Sequence, residues 1–168
     1  MSTLAWSADL ALDHPRMDGT HEEFVALLAD TEAALTLDEA TLLTRWTTLC
    51  EHTVEHFGQE DRWMQATGFA PENCHTFQHK AVLDVMLECA KRAREQADFE
   101  PLRLAVGELA IWFPQHARQM DAALAQHMAL VGFDPETGRC AVTLDGNGEP
   151  LREPALEPIT GCGGSSCG

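Results

Sequence analysis

A chain of 168 residues fits one domain with a tail better than two domains. Its 11 Lys and Arg against 27 Asp and Glu give a formal net charge of −16, which argues against nucleic acid and anionic membrane surfaces as partners, because phosphates need cationic side chains to displace their counterions. The 45% hydrophobic content is too high for a disordered chain, and no apolar run reaches the roughly 18 residues of a membrane span.

The N-terminus, Met-Ser-Thr-Leu-Ala-Trp, lacks a basic patch followed by an apolar stretch. A secretory signal is therefore not expected, and a cytoplasmic location is. Phe24, Leu27, Leu28, Thr31, Ala34 and Leu35 recur at helical steps, with Asp18 before them as the expected N-cap. A second helix is expected from Asp38, another N-cap candidate, to about Thr67, with Gly68 in the left-handed C-terminal position. Pro71 suits the first position of a third helix reaching about Ala97, and Pro101 that of a fourth ending near Met128. Short connections make neighbouring helices antiparallel. The expected fold is all-α, an antiparallel up-down four-helix bundle with its N-terminal arm over residues 1–131. Eight of the 12 Gly and four of the eight Pro fall in residues 132–168, so a non-helical tail is expected there. Within it Cys140–Leu144 and Glu149–Arg152 form a candidate hairpin around Asp145-Gly146-Asn147-Gly148, with Pro150 on an edge strand, and the tail ends in a Cys162-x4-Cys167 segment.

Eight His in an acidic chain without Tyr is the unusual feature, since His and carboxylates together are ligands of iron and zinc. His56 and Glu60 are four apart on the second helix, and His75 and His79 four apart on the third. Four residues turn about 400°, so each pair lies about 40° apart on one face. The first helix adds His21 and the fourth His116 and Asp121. One His-x3-Glu pair on an acidic helix is ordinarily a solvated pair, but these seven residues come from four helices that a bundle can converge. They are too many for one tetrahedral zinc and suit two octahedral irons that share bridges and leave a position open. The set contains no Cys, which argues against an iron–sulfur cluster. Two points stay open. His116 and Asp121 are five apart, about 140° around an α-helix, so spacing alone does not select Asp121. His52 shares a stripe with His56 and Glu60, so spacing does not exclude it as a ligand.

Residues 6–128 resemble the hemerythrin family, specifically its single-domain bacterial members. Trp6, Asp18 and His21 are similar to the family's N-terminal Trp…Asp-x-x-His signature. His56-Phe57-Gly58-Gln59-Glu60-Asp61 resembles its His-Phe-x-x-Glu-Glu motif, with Met64 following. His75-x3-His79 and Trp112-x3-His116-x4-Asp121 complete the pattern. The resemblance implies that His75, His79 and His116 hold one iron and that His21 and His56 hold the other, which keeps an open position for dioxygen. It implies that Glu60 and Asp121 bridge the two non-haem irons together with an oxo or hydroxo group, and that His56 rather than His52 is the ligand. Asp61 stands where the family has a second Glu, a position that is not a ligand. Asp13 and His14 replace a Gly and an aliphatic residue, and His52 is expected to fill core or rim. Pro114, two residues before a ligand, is expected to kink the fourth helix. Trp112, Phe57 and Phe113 read first as core and second as a dry wall around the open iron.

Six Cys stand at 50, 74, 89, 140, 162 and 167, and no structural disulfide is expected in a reducing compartment. Cys50 and Cys89 read as core. Cys162 and Cys167, in a Gly/Ser segment, read first as a flexible tail end and second as a thiol pair that oxidises to a disulfide or binds a soft metal, through which a redox partner or an oxygen-using enzyme would be engaged. The expected function is reversible dioxygen binding for storage, delivery or sensing, without enzymatic turnover. The alternative is a di-iron enzyme that handles nitric oxide or peroxide or repairs iron centres.

Overall fold

The computed structural model describes residues 3–69 and 74–142. A 3₁₀ turn at Ala8–Leu10 precedes α1 (Pro15–Ala34), α2 (Glu39–Thr67) and α3 (Cys74–Gln96). The fourth rod consists of α4 (Glu100–His116), a π-helical turn at Ala117–Asp121 and α5 (Ala122–Leu130). The short antiparallel strands β1 (Phe133–Asp134) and β2 (Arg139–Cys140) follow, with Phe133 opposite Cys140. The rods pack in a ring, α1 on α2, α2 on α3, α3 on α4 and α4 on α1. The all-α bundle expected from the sequence is the fold observed.

Local chemistry sets most helix ends. Asp38 caps α2, its carboxylate accepting from the Thr41 N–H at 3.0 Å. Gly68 closes α2 in the left-handed region at φ 70°, and the Phe69 N–H reaches back to the Met64 carbonyl at 2.9 Å. The start of α1 differs from the sequence expectation. Pro15 is the first helical residue, and His14 is the N-cap, its Nδ1 accepting from the Met17 N–H at 3.2 Å. Asp18 lies inside the first turn and clamps the incoming arm, accepting from the Leu12 and His14 N–H groups at 2.7 and 3.1 Å. Asp13 takes a left-handed φ of 57°, a conformation that Asp tolerates better than most non-glycine residues. Pro71 lies outside the described residues, and Pro101 occupies the first turn of α4 as expected.

The fourth rod is not one α-helix. Pro114 sits inside α4 without ending it. The irregularity falls downstream, where the Ala122 N–H bonds to the Ala117 carbonyl five residues back. Beyond α5, Gly132 at φ 59° turns the chain, and a Cβ there would stand 2.8 Å from the Ala141 Cβ, so only glycine fits. The ribbon that follows returns onto the bundle, with the Val142 N–H bonded to the Val131 carbonyl at 3.0 Å. Its second strand ends at Cys140, where the first strand of the hairpin expected over Cys140–Leu144 was to begin, and there Cys140 pairs with Phe133; the expected turn at Asp145–Gly148 lies outside the described residues, as do Cys162 and Cys167.

Two apolar clusters flank the middle of the bundle. The larger includes Phe24, Leu28, Trp46, Leu49, Met86, Leu102 and Phe113, with Trp6 of the arm against it. The smaller, at the end where α2 finishes and α3 begins, gathers Met17, Trp63, Met64, Leu124, Ala125 and Met128. Each fully buried large side chain stabilises the fold by about 1.5–3 kcal/mol.

Candidate metal centre

Among the described residues nine polar side chains are buried, and seven of them are the residues singled out by spacing and resemblance: His21, His56, Glu60, His75, His79, His116 and Asp121. His21 and the α3 pair fall early in their rods, and the α2 and fourth-rod residues fall late. Only an up-down arrangement brings them to one level, so the topology assembles the site.

The two carboxylates organise it. Glu60 Oε1 lies 3.0 Å from His56 Nε2 and 3.5 Å from His21 Nε2, while its Oε2 lies 3.3 and 3.2 Å from the Nε2 atoms of His75 and His79. Asp121 divides in the same way. Its Oδ2 is 3.2 Å from His21 Nε2, and its Oδ1 is 2.9 and 3.1 Å from His75 and His116 Nε2. Each carboxylate thus gives one oxygen to the His21–His56 side and the other to the His75–His79–His116 side. Five ligand atoms from Glu60, His75, His79, His116 and Asp121 lie within 4.8 Å of one another, as do three from His21, His56 and Glu60.

The π turn is what admits Asp121. In an i→i+5 ladder residues five apart stand one above the other, so His116 and Asp121 share a face. In an unbroken α-helix they would be about 140° apart.

Two carboxylates are buried here to 1% and 0% exposure with imidazoles as their partners. Burial without cationic charge costs several kcal/mol per ion. The surroundings respond accordingly. Burial alone would lower His21 and His75, but Asp121 and Glu60 outweigh it and raise both to about 9. Burial likewise opposes ionisation of Glu60 and Asp121, and the facing imidazoles overcome it, holding both carboxyls well below their usual range. His116 is lowered, chiefly by burial. Several of these close contacts lack hydrogen-bond alignment: among the described residues His21 Nε2, His75 Nε2, Glu60 Oε2 and both Asp121 oxygens are buried without a hydrogen-bond partner. Donor lone pairs that converge without pointing at one another, around buried negative charge, fit a multivalent cation set.

Family comparison agrees with this chemistry. The model of the hemerythrin HHE cation-binding domain matches residues 13–128. The chain belongs to the hemerythrin family. A hemerythrin relative, the bacteriohemerythrin of Ralstonia nicotianae, is 34% identical over 134 residues, covering 80% of this chain and 95% of its own.

His52 stands apart from this hemerythrin chain's buried cluster. It lies at the rim, its Nε2 3.2 Å from Glu23 on the outer side, its ring edge-on to His56 with centroids 5.9 Å apart. It does not join the converging donors. Aromatic rings line the centre: Phe57 stacks on His79 at 4.0 Å, Trp112 on His116 at 4.4 Å, and Phe113 meets His21 edge-on at 5.2 Å. Phe57 and Phe113 are fully buried, as core residues are.

Sequence reasoning missed two neighbours. Asp61 Oδ1 lies 3.0 Å from His79 Nδ1, and Gln78 Oε1 lies 3.0 Å from His116 Nδ1. Asp61 was visible as the residue after Glu60 but was set aside as a non-ligand. Gln78 carried no signal beyond adjacency to His79.

Proposed function

We propose that this hemerythrin holds two non-haem irons per chain and binds dioxygen reversibly, for storage, delivery or sensing. The observation that carries the reading is the division of Glu60 and Asp121, one oxygen of each to either side. His75, His79 and His116 with one oxygen of each carboxylate provide five donors to one metal; His21 and His56 with the other oxygens provide four to its neighbour. The first side would thus hold its iron with more protein donors than the second, which leaves room for dioxygen on the His21–His56 side. An iron pair supplies the electrons that dioxygen takes up and returns. The chain's own part is to position the donors, to neutralise the metal charge with two carboxylates, and to exclude water with Phe24, Phe57 and Phe113 around the His21–His56 side. Among the described residues no helix is long and apolar enough to cross a membrane.

The test is anaerobic loading with ferrous iron followed by air. Two irons per chain and a visible band that appears with oxygen and fades on its removal are expected, and His52→Ala should leave both unchanged. A colourless protein with a single zinc would overturn the reading. Rapid consumption of peroxide or nitric oxide by the loaded protein would replace the carrier with an enzyme.

A further inference from the structure

The two sides of the centre differ in how their imidazoles are held from behind. On the three-histidine side, Asp61 of α2 faces Nδ1 of His79 on α3, and Gln78 of α3 faces Nδ1 of His116 on the fourth rod, both at 3.0 Å. The facing atoms are a carboxylate oxygen and an amide carbonyl oxygen, both acceptors, so the ring Nδ1 of each histidine donates. That fixes the tautomer: the proton sits outward on Nδ1, and the Nε2 lone pair points to the converging oxygens. The links also lace three neighbouring rods together just behind the donors. His79 is further pinned by Phe57, stacked almost parallel at 6°, and His116 by Trp112.

The two-histidine side has no such support. Among the described residues, Nδ1 of His21 and Nδ1 of His56 are buried without a hydrogen-bond partner. The His21 ring meets Phe113 edge-on at 89° and His56 tilted at 55°, with no parallel stacking partner among the described residues. Among the described residues the only acceptor that faces His56 is Glu60 Oε1, 3.0 Å from its Nε2, so in the metal-free protein the proton of this ring sits inward, on the atom that would ligate. His75 Nδ1 also lacks a partner, so two of the three imidazoles on the supported side are held and neither on the other.

We propose that Asp61 and Gln78 are positioning residues that make the His75–His79–His116 side the tighter metal position, filled first and emptied last. The His21–His56 side is then the labile position. This rests on the two-metal reading above. A ligand whose lone pair is already aimed loses less freedom on binding, and a carboxylate behind Nδ1 adds basicity at Nε2; removing such partners costs about 10–100-fold in metal affinity.

The experiment is an anaerobic titration of the metal-free full chain with ferrous iron against a competing chelator, with iron-free thermal unfolding in parallel. The wild type should take up two equivalents in two resolved steps. Asp61→Ala should weaken the tighter step about 10–100-fold and leave the looser step unchanged, with a cooperative metal-free unfolding transition showing that the fold is intact. Asp61→Asn keeps an acceptor oxygen without the charge and should fall between. Gln78→Leu should act on the same step. Both substituted side chains reach solvent, Asp61 with 46% of its surface exposed, so the fold survives their loss. Equal weakening of both steps, or no change in either with Asp61→Ala and Gln78→Leu, would overturn the proposal while leaving the two-metal reading standing. Failure of the wild type to take up two equivalents would overturn both.

Discussion

α2 and the fourth rod perform the same task with different backbones. Each presents an imidazole followed by a carboxylate to the centre of the bundle. In α2 the pair is His56 and Glu60, four apart on a helix that runs unbroken for 29 residues. In the fourth rod it is His116 and Asp121, five apart, and the ladder opens into a π turn between them. Pro114 has already removed one donor from the turn before. The comparison teaches that side-chain direction is held constant here and helical regularity is not. The widened turn gives up α-helical hydrogen-bond register in order to keep Asp121 facing His21, His75 and His116.

If the two rods are equivalent in effect, removing either carboxylate should be equally severe. Glu60→Ala and Asp121→Ala are each expected to abolish two-iron loading and the oxygen-dependent band, as read by metal analysis and absorption. Survival of either variant with two irons would break the equivalence. An insertion and a deletion test the backbone difference next. One alanine inserted after Gln59 moves Glu60 to a five-residue step on a regular helix and should eliminate loading. Deleting Gln119, exposed within the π turn, leaves a four-residue step that an ordinary ladder accommodates. That variant should still take up two irons, with weakened affinity. If the deletion is as damaging as the insertion, the π turn does more than align Asp121.

A smaller effect concerns pH. In the metal-free protein His21 and His75 titrate near 9, above the ordinary imidazole value of 6.5. Their contribution to stability is full below 6.5 and is lost as pH rises towards about 9. Glu60 and Asp121 titrate below the ordinary carboxyl range, so their contribution is present above it and is lost as pH falls. The metal-free Tm should therefore decline as pH rises from about 6.5 towards 9, and decline again in acid as the two carboxyls and the buried, lowered His116 take up protons. Ligation needs neutral imidazole, so loading near pH 7.5 should release a proton from each of His21 and His75, measurable by calorimetry in buffers of different ionisation enthalpy. A flat Tm across pH 6.5–9 would show that these two imidazoles are not paired with carboxylates as the geometry has them.

How much was legible follows from how local each cause is. The Asp38 cap, the Gly68 stop and the His56–Glu60 and His75–His79 steps are written in residues one turn apart, and the structure has them as read. Asp18 was misread because a cap and a first-turn acid share a composition. Pro15 was the better marker, since its ring suits the first helical position and its missing N–H costs nothing there. The π turn has no signature in composition, so Asp121 came from resemblance and its reason only from the backbone. Asp61 and Gln78 were out of reach because their contacts cross between rods, and no periodicity along one helix reports what stands on the next.

The arm at the start of the chain has a geometric corollary. Thr3 bonds to Glu32, near the C-terminal end of α1, and Leu12 to Asp18, near its beginning. The arm therefore runs back along α1 over the 14 residues between those anchors, roughly 21 Å of rise. At the other limit of the described chain, Cys140 rests on the Ala66 carbonyl, beside the end of α2. Residues 3 and 142 thus stand at opposite poles. A protein fused ahead of the arm would sit at the pole away from the histidines, and one fused just after Val142 beside them, so a pair of fluorophores at these two positions would report the length of the bundle rather than its width.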